Sequence, residues 1–494
     1  MVMADYKLFV QRIGLIGVTN LFLSLSGIIL LPILTKNLPI QDYGIWAQIT
    51  VTIAIVTPVA SLGLDSAIAR YLPSLTQKEE IQEIFYSIFF LVLPVYIIVS
   101  ALIYIFSGTI SSSLFYGYVP IVKILSVIIF FECINNLFLD YLRAKQMITK
   151  YSLLSIIKNY VQVFSVSFLI LMGKGLLGAI FGLLLTNVLV FLIMAYIIYL
   201  NIGVKIPKFK NMKEYLSFGI PLVPMVVSGW VVNSSDRYVI GLVLGAASVG
   251  YYSPGYSLGS LILMFLAPIS ILLPVTLSKY YDENNLEEVN KTLYYSLKYF
   301  LTIGIPAVFG LSFLSKSILN ILSTPKIAEE GYLIVPFVAL SFLIYGVQTI
   351  YWQILILKGQ TKVGGKTWLI ASLFNILLNF LLIPYTGIIG AAITTLFAFT
   401  FAFVVTAYYS TKIYKLDPNF EFILKSIFAS IMMSLVIVVS NPTEWVSVMI
   451  TIGICTVVYF IVLLLLKGFD KKEFISLKEF FNLNTFSFRD KPIK

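Results

Sequence analysis

Residues 176–200 read LLGAIFGLLLTNVLVFLIMAYIIYL, 25 positions without one Asp, Glu, Lys or Arg. At about 1.5 Å per residue, a helix of that length exceeds the hydrocarbon layer of a bilayer, and a helix is the economical way to satisfy backbone groups there. The stretch predicts a membrane-spanning helix, and the chain repeats the pattern on both sides of it. Comparable apolar runs lie near 11–31, 43–64, 81–105, 119–139, 151–172 and 216–234. Others follow near 250–277, 292–314, 331–357, 367–384, 387–409, 422–440 and 445–466, so fourteen helices are expected. The composition agrees: 59% of the 494 residues are hydrophobic and 12% charged, with a mean hydropathy of +0.96. Soluble domains are about half apolar and about a quarter charged. The expected fold is all-α, a polytopic membrane protein.

The same composition excludes much chemistry. There is no histidine, which removes Ser-His and Cys-His nucleophile pairs and histidine-ligated metals. The two cysteines, Cys133 and Cys455, lie in apolar runs and offer neither a disulfide framework nor a metal site. Gly364-Gly365-Lys366-Thr367 looks like the end of a phosphate loop, but Gln360 stands where that loop needs its first glycine. Connections of at most about twenty residues leave no room for a soluble catalytic domain. Neither an enzyme nor a cofactor is expected. The start, Met1 to Lys7, runs into the first span without a cleavage signal, so that span is expected to remain.

A sequence pI of about 9.2 invites a nucleic-acid reading, which the placement of the cations removes. With the N-terminus inside, 26 of the 34 Lys and Arg fall in inner segments. Five fall in outer ones (Lys36, Lys174, Arg237, Lys316, Lys326), and Lys123, Lys158 and Lys298 lie within spans. The positive-inside rule alone accounts for the basic balance and puts both termini in the cytoplasm of a plasma-membrane protein. Beyond residue 466, Phe474, Leu477, Phe480 and Phe481 recur at helical spacing among lysines. This suits either an amphipathic helix on the inner leaflet or a disordered tail.

Internal repetition organises the spans. Leu38-Pro39, Gly44 and Trp46 are matched by Leu244-Gly245, Gly250 and Tyr252, each 206 positions later. Gly175-Leu176-Leu177-Gly178-Ala179 is matched by Gly387-Ile388-Ile389-Gly390-Ala391, and Thr149-Lys150 by Thr361-Lys362, at an offset of 212. These offsets lay helices one to six over seven to twelve. An even number of crossings keeps both halves in one orientation, related by an axis along the membrane normal. The expected domains are an N-terminal lobe over 1–215, a C-terminal lobe over 216–420, two further helices over 421–466, and a basic tail over 467–494.

The residues resemble the polysaccharide and O-antigen flippases of the multidrug/oligosaccharidyl-lipid/polysaccharide exporter superfamily along the whole chain. The resemblance rests on Leu62-Gly63-Leu64 with Ala67, Ile68 and Arg70, on Phe218-Gly219-Ile220-Pro221-Leu222, and on Asp236-Arg237 with Ile240-Gly241 and Val249-Gly250-Tyr251. Asn379 to Pro384 and Gly387 to Ala392 complete it. It implies transport of a polyprenyl-diphosphate-linked oligosaccharide (O-antigen, capsule or another surface polysaccharide unit) from inner to outer leaflet by alternating access. Membrane lipids surround the protein, H+ or Na+ is a candidate coupling ion, and a polysaccharide polymerase or glycosyltransferases are candidate associates. An ion-coupled multidrug exporter and a lipid II-type flippase are the alternatives. A membrane glycosyltransferase or polymerase would need a large outer loop or exposed catalytic acids.

Ionisable groups within spans are costly and are the candidate site residues. Glu132 and Lys158 lie at one depth on helices four and five and predict an ion pair, aided by Asn135, Asn136, Asn159 and Gln162. It is either structural or a polar wall of the translocation cavity. Arg12 and Lys298 are candidate cations for a diphosphate, against snorkelling or structural roles. Lys123 reads as an interfacial anchor. Asp65 and Arg70 either pair locally or gate the inner mouth, and Asp236-Arg237, read as ending helix seven, either locks the outer gate or caps the helix. Asn375 and Asn379 share one face of helix eleven and bond either to neighbouring helices or to sugar hydroxyls. Pro58, Pro94, Pro221, Pro224, Pro268, Pro274, Pro306 and Pro336 predict bends, with helices seven and eight, aided by Gly255 and Gly259, as hinges. Together these place a hydrated, cationic gap between two lobes.

Overall fold

The computed structural model describes residues 2–414 and 416–469, with side chains from residue 14 onward. All regular structure among the described residues is helical. The long helices are α1 (Val2–Asn37), α2 (Ile40–Ala60), α3 (Lys78–Ile105), α4 (Val119–Ala144), α5 (Ile148–Leu169), α6 (Gly175–Ile202) and α7 (Met212–Leu244). They continue with α8 (Ala246–Asp282), α9 (Leu286–Leu322), α10 (Ile334–Leu357), α11 (Thr361–Thr386), α12 (Ile388–Ile413), α13 (Phe420–Ser440) and α14 (Trp445–Leu465).

By continuity these are thirteen apolar stretches, because α5 and α6 merge into one of 55 residues, Ile148–Ile202. At ~1.5 Å per residue that stretch is about 80 Å long, too long for a single crossing. It reverses at Gly173 and Gly175, whose φ values of 77° and 56° favour glycine. Beyond the turn Ser165 and Thr186 bond at 2.8 Å, and a Cβ on Gly182 would lie 2.8 Å from the Val166 backbone. The merged stretch is therefore a hairpin, and the described residues make fourteen crossings. Gly387, which opens α12, has φ 65° and ψ −150°, close to the φ 56° and ψ −146° of Gly175, 212 residues earlier.

Buried apolar residues form two large cores. One runs from Leu30 to Tyr215 with Ala246; the other runs from Val232 to Leu463 with Ala47. Helices α13 and α14 belong to the second core, where the Tyr459 hydroxyl donates to the Thr302 carbonyl of α9 at 2.9 Å. Each half has a basic end, where residues near 70, 145 and 205 or near 279, 360 and 412 gather, and a far end carrying the turns near 38, 245 and 387.

The expected breaks in α7 and α8 occur as 3-10 turns at Ile220–Leu222 and Ser260–Ile262. Gly255 and Gly259 lie in helical backbone, Gly259 directly before the 3-10 turn. A Cβ on Gly255 would lie 2.6 Å from the Gly331 carbonyl oxygen, and one on Gly259 would lie 2.8 Å from Val338. Their smallness lets helices approach closely. Gly364-Gly365 lies inside the first turns of α11, where no phosphate loop exists. The expected amphipathic helix in the tail and the Arg12 side chain lie outside the described residues.

Candidate functional site

The two halves meet most closely between α2 and α8. A Cβ on Gly44 would overlap the Ala246 carbonyl and stand 3.1 Å from the Gly250 nitrogen, and one on Gly250 would lie 2.5 Å from the Ile40 carbonyl oxygen. Ile40 and Ala246, like Gly44 and Gly250, are 206 positions apart, so each half offers the other the same glycine and the same carbonyl. Around this contact Lys36 donates to the Ile321 carbonyl at 2.7 Å and Tyr116 to the Gly241 carbonyl at 2.7 Å. Deeper in the seam, the Trp230 indole donates to the Val51 carbonyl at 3.0 Å. The far end is thereby sealed. At the basic end Gly63, with φ 68°, lies against the Gly219 carbonyl, and the Tyr71 and Tyr215 rings pack at a tilt with centroids 5.4 Å apart.

Beside the α2–α8 contact is a half-open cavity of about 710 Å³ between α1, α2, α7, α8, α9 and α14. Its wall is largely aliphatic, with Tyr43, Trp46 and Trp445 as aromatics and Arg237 as the single charged residue among the described ones. A second cavity of about 320 Å³ lies in the first half toward the basic end and is mostly polar, with Asp65, Asp140, Arg143 and Asn136 on its wall. Among the described residues, which leave out the Arg12 side chain, neither gathers the cations that a positively charged gap required. One is apolar around one arginine, and the other carries two carboxylates against one arginine.

Asp236 and Arg237 do not end their helix. Helical backbone continues to Leu244, so both lie inside α7 and are buried. The Arg237 guanidinium is 3.3 Å from the Asp236 carboxylate and stands over the Tyr256 ring at 4.2 Å from its centroid. The Tyr252 hydroxyl donates to the other Asp236 oxygen. Buried charges persist only when paired and hydrogen-bonded, and this four-residue cluster supplies both, fixing Arg237 at the cavity wall. It is neither a helix cap nor an outer-loop cation.

Glu132 and Lys158 form the expected pair at 2.7 Å, their side chains 16% and 11% exposed, and Lys158 also reaches Asn136 at 3.4 Å. Asn135 instead donates to Asn187 on α6, and Asn159 to Ser155 within its own helix. Asp65 and Arg70 do not pair. Arg70 stands over the Phe218 ring at 4.6 Å from its centroid, while Asp65 accepts from Ser61 at 3.4 Å and faces the polar cavity. Positions five apart are rotated by about 140° around a helix, which turns the two side chains to different faces.

Lys298 is buried at 4% exposure against the rings of Phe422 and Phe469, on the side of α9 that carries α13, and lines neither cavity. Lys123 lies over Tyr104. Asn375 and Asn379 are fully buried in a chain joining three helices. Ser235 of α7 donates to Asn375 at 3.3 Å, Asn379 donates to Asn375 at 3.1 Å, and Thr394 of α12 donates to Asn379. Interhelical bonding, not contact with a cavity, is what they do here. The seam glycines and the Tyr252–Tyr256 pair went unrecognised as site residues, although the 206-residue match had already marked Gly44, Gly250 and Tyr252.

Fourteen long apolar helices in two cores, joined at a close seam, define a multi-pass membrane protein. The chain belongs to the polysaccharide biosynthesis protein family, whose profile matches residues 9–275, within the superfamily that also holds the MatE family, matched over residues 221–381. It is 23% identical over 210 residues to a probable low-salt glycan biosynthesis flippase of Haloferax volcanii, covering 42% of this chain and 44% of that protein. The chain thus matches less than half the length of that relative. It is also 23% identical to an uncharacterized membrane protein of Methanocaldococcus jannaschii over 86% of this chain and 88% of the other. Its fold is that of the lipid II flippase MurJ in an inward closed conformation, with a TM-score of 0.73, 20% identity, and coverage of 91% of this chain and 98% of that one.

Proposed function

We propose that the protein is a flippase that carries a polyprenyl-diphosphate-linked oligosaccharide from the inner to the outer leaflet. Membership of the polysaccharide biosynthesis family over residues 9–275 carries the reading. The seam supports it. The polar head of such a lipid cannot cross ~30 Å of hydrocarbon unaided, and two bundles that meet through small residues at the far end can part there while closing at the basic end. The lobes are residues 1–215 and 216–420, related by an axis along the membrane normal. Residues 421–466 brace the second lobe, and 467–494 form a cytoplasmic tail. Both termini face the cytoplasm, following the distribution of Lys and Arg.

In this reading the apolar cavity takes the isoprenoid portion and Arg237 faces the anionic group, while the Glu132–Lys158 pair, which lines neither cavity, ties α4 to α5. Arg12 remains a candidate phosphate cation from its sequence position. Transport is the whole chemistry. The driving force is an H+ or Na+ gradient or the substrate gradient itself, and glycan-assembling enzymes are the natural neighbours.

The MatE match over 221–381 and the largely apolar cavity favour, as a second reading, an ion-coupled drug exporter. One experiment separates the two: a leaflet-resolved assay of lipid-linked glycan in a strain lacking the gene, beside efflux of a cationic dye. The flippase reading expects outer-leaflet glycan to fall and efflux to stay unchanged. Undiminished outer-leaflet glycan with impaired efflux sinks it.

A further inference from the structure

The polar cavity at the basic end has properties that neither an anion nor a lipid tail satisfies. Its wall combines Asp65, from the short helix Leu64–Tyr71, with Asp140 of α4 and the Asn136 amide. Asp140 is matched by Arg143 at 2.7 Å, and Arg143 is half exposed. Asp65 has no Lys or Arg nitrogen within 4.0 Å among the described residues; its bonded neighbour is the Ser61 hydroxyl. A carboxylate has about four acceptor sites, so most of Asp65's capacity is open to whatever fills the space. Thr57, on the same wall, is 6% exposed, and its hydroxyl faces the Cys133 thiol, a weak hydrogen-bonding group, without a closer oxygen or nitrogen partner. A hydroxyl with so weak a partner keeps most of its hydrogen-bonding capacity for whatever fills the cavity.

Volume and charge decide among ligands. At about 30 Å³ per water, 320 Å³ holds roughly ten waters, far more than one cation needs, and it falls within the range of small-molecule sites, ~300–1,000 Å³. A phosphate would meet a wall of net negative charge, and an alkyl chain would strand the carboxylates and the amide. A ring dense in hydroxyl donors satisfies the carboxylates, the Asn136 amide and the Thr57 hydroxyl together, with Tyr96 and Tyr151 offering ring surface beside it.

We infer that this cavity binds a single monosaccharide unit of the transported glycan, neutral or amino-bearing, and that Asp65 and Thr57 help set which sugars are accepted. The inference rests on the flippase reading and adds to it a site for the sugar, separate from the lipid and phosphate portions.

The test uses the full-length chain in lipid nanodiscs, with the methyl glycosides of glucose, galactose, N-acetylglucosamine and glucosamine as probes, followed by saturation-transfer NMR. At least one probe is expected to bind. Asp65→Asn and the near-isosteric Thr57→Val are each expected to weaken that binding by about tenfold, the loss of a hydrogen bond. Glu444→Gln, at the far end, leaves it unchanged. The inference is overturned if no probe binds, if both variants bind like the parent, or if sodium chloride but not potassium chloride abolishes binding, which marks an ion site. A parallel leaflet assay keeps the two proposals apart. Probe binding without glycan delivery removes the flippase reading and retains the cavity, whereas delivery with unaltered binding in the variants does the reverse.

Discussion

Gly44 of α2 and Gly250 of α8 face each other across the seam, each against a carbonyl of the opposite helix, Ala246 for one and Ile40 for the other. The contact is self-complementary, as at a two-fold interface between identical subunits, though both sides come from one chain. No side chain fits between the helices, so the packing of the far end depends on two missing methyl groups.

Gly44→Ala and Gly250→Ala are therefore expected to prise the far end open while leaving each bundle intact. Overpacking of this kind costs about 1–3 kcal/mol, enough to raise far-side accessibility about tenfold. Labelling of Ser253→Cys, a buried position on the cavity wall, with a membrane-impermeant maleimide reads the change. Equal labelling with and without the glycine substitutions would show that this contact does not hold the gate.

The Glu132–Lys158 pair makes a thermodynamic prediction independent of transport. Both side chains are largely buried, so Lys158→Ala strands a carboxylate in a low-dielectric interior, with an expected loss of about 3–5 kcal/mol. The double variant Glu132→Gln, Lys158→Met recovers most of that loss, and the exchange Glu132→Lys, Lys158→Glu recovers part of it. Thermal unfolding of the purified protein in detergent gives the four corners of the cycle. A single variant as stable as the parent would mean that the carboxylate is hydrated in solution.

Arg237 is held both by the Asp236 carboxylate and by the face of Tyr256. Lysine can replace the charge but not the planar stacking or the fork of donors. Arg237→Lys is expected to lower the melting temperature by an amount equivalent to about 1–2 kcal/mol, whereas Asp236→Ala, which leaves a buried guanidinium without its carboxylate, costs more. The ordering is the prediction, and melting curves for both variants check it.

The crossings were legible in the sequence because hydrocarbon thickness is a fixed ruler, and a span such as 176–200 carries no competing signal. The Glu132–Lys158 pair was legible for a related reason: two helices of one hairpin share a depth scale. Asp236–Arg237 was misplaced because an apolar run seems to stop at its first charge, whereas the structure carries the helix to Leu244 and compensates both charges with Tyr252 and Tyr256. Those partners lie in the next helix, and no spacing along α7 announces them. Asp65 and Arg70 failed for a geometric reason, because Arg70 finds Phe218 from the α7 segment, a neighbour 148 residues away. Cavity shape and the polarity of its wall depend on such distant packing, which is why the largely apolar wall around Arg237 was not foreseen.

Gly387 and Gly365 lie 22 positions apart and should respond to alanine in opposite ways. Gly387 turns the chain from α11 into α12 with φ 65° and ψ −150°, a conformation that L side chains avoid at a cost of about 1–3 kcal/mol. Gly365 lies in ordinary helical backbone with open space where a Cβ would go. There alanine removes the entropic penalty of a helical glycine and is worth about 0.5–1 kcal/mol of stability. Gly387→Ala should lower the unfolding temperature, and Gly365→Ala should hold or raise it with transport intact. If Gly365→Ala abolished transport at unchanged stability, Gly364-Gly365-Lys366-Thr367 would have a role that its helical backbone does not explain.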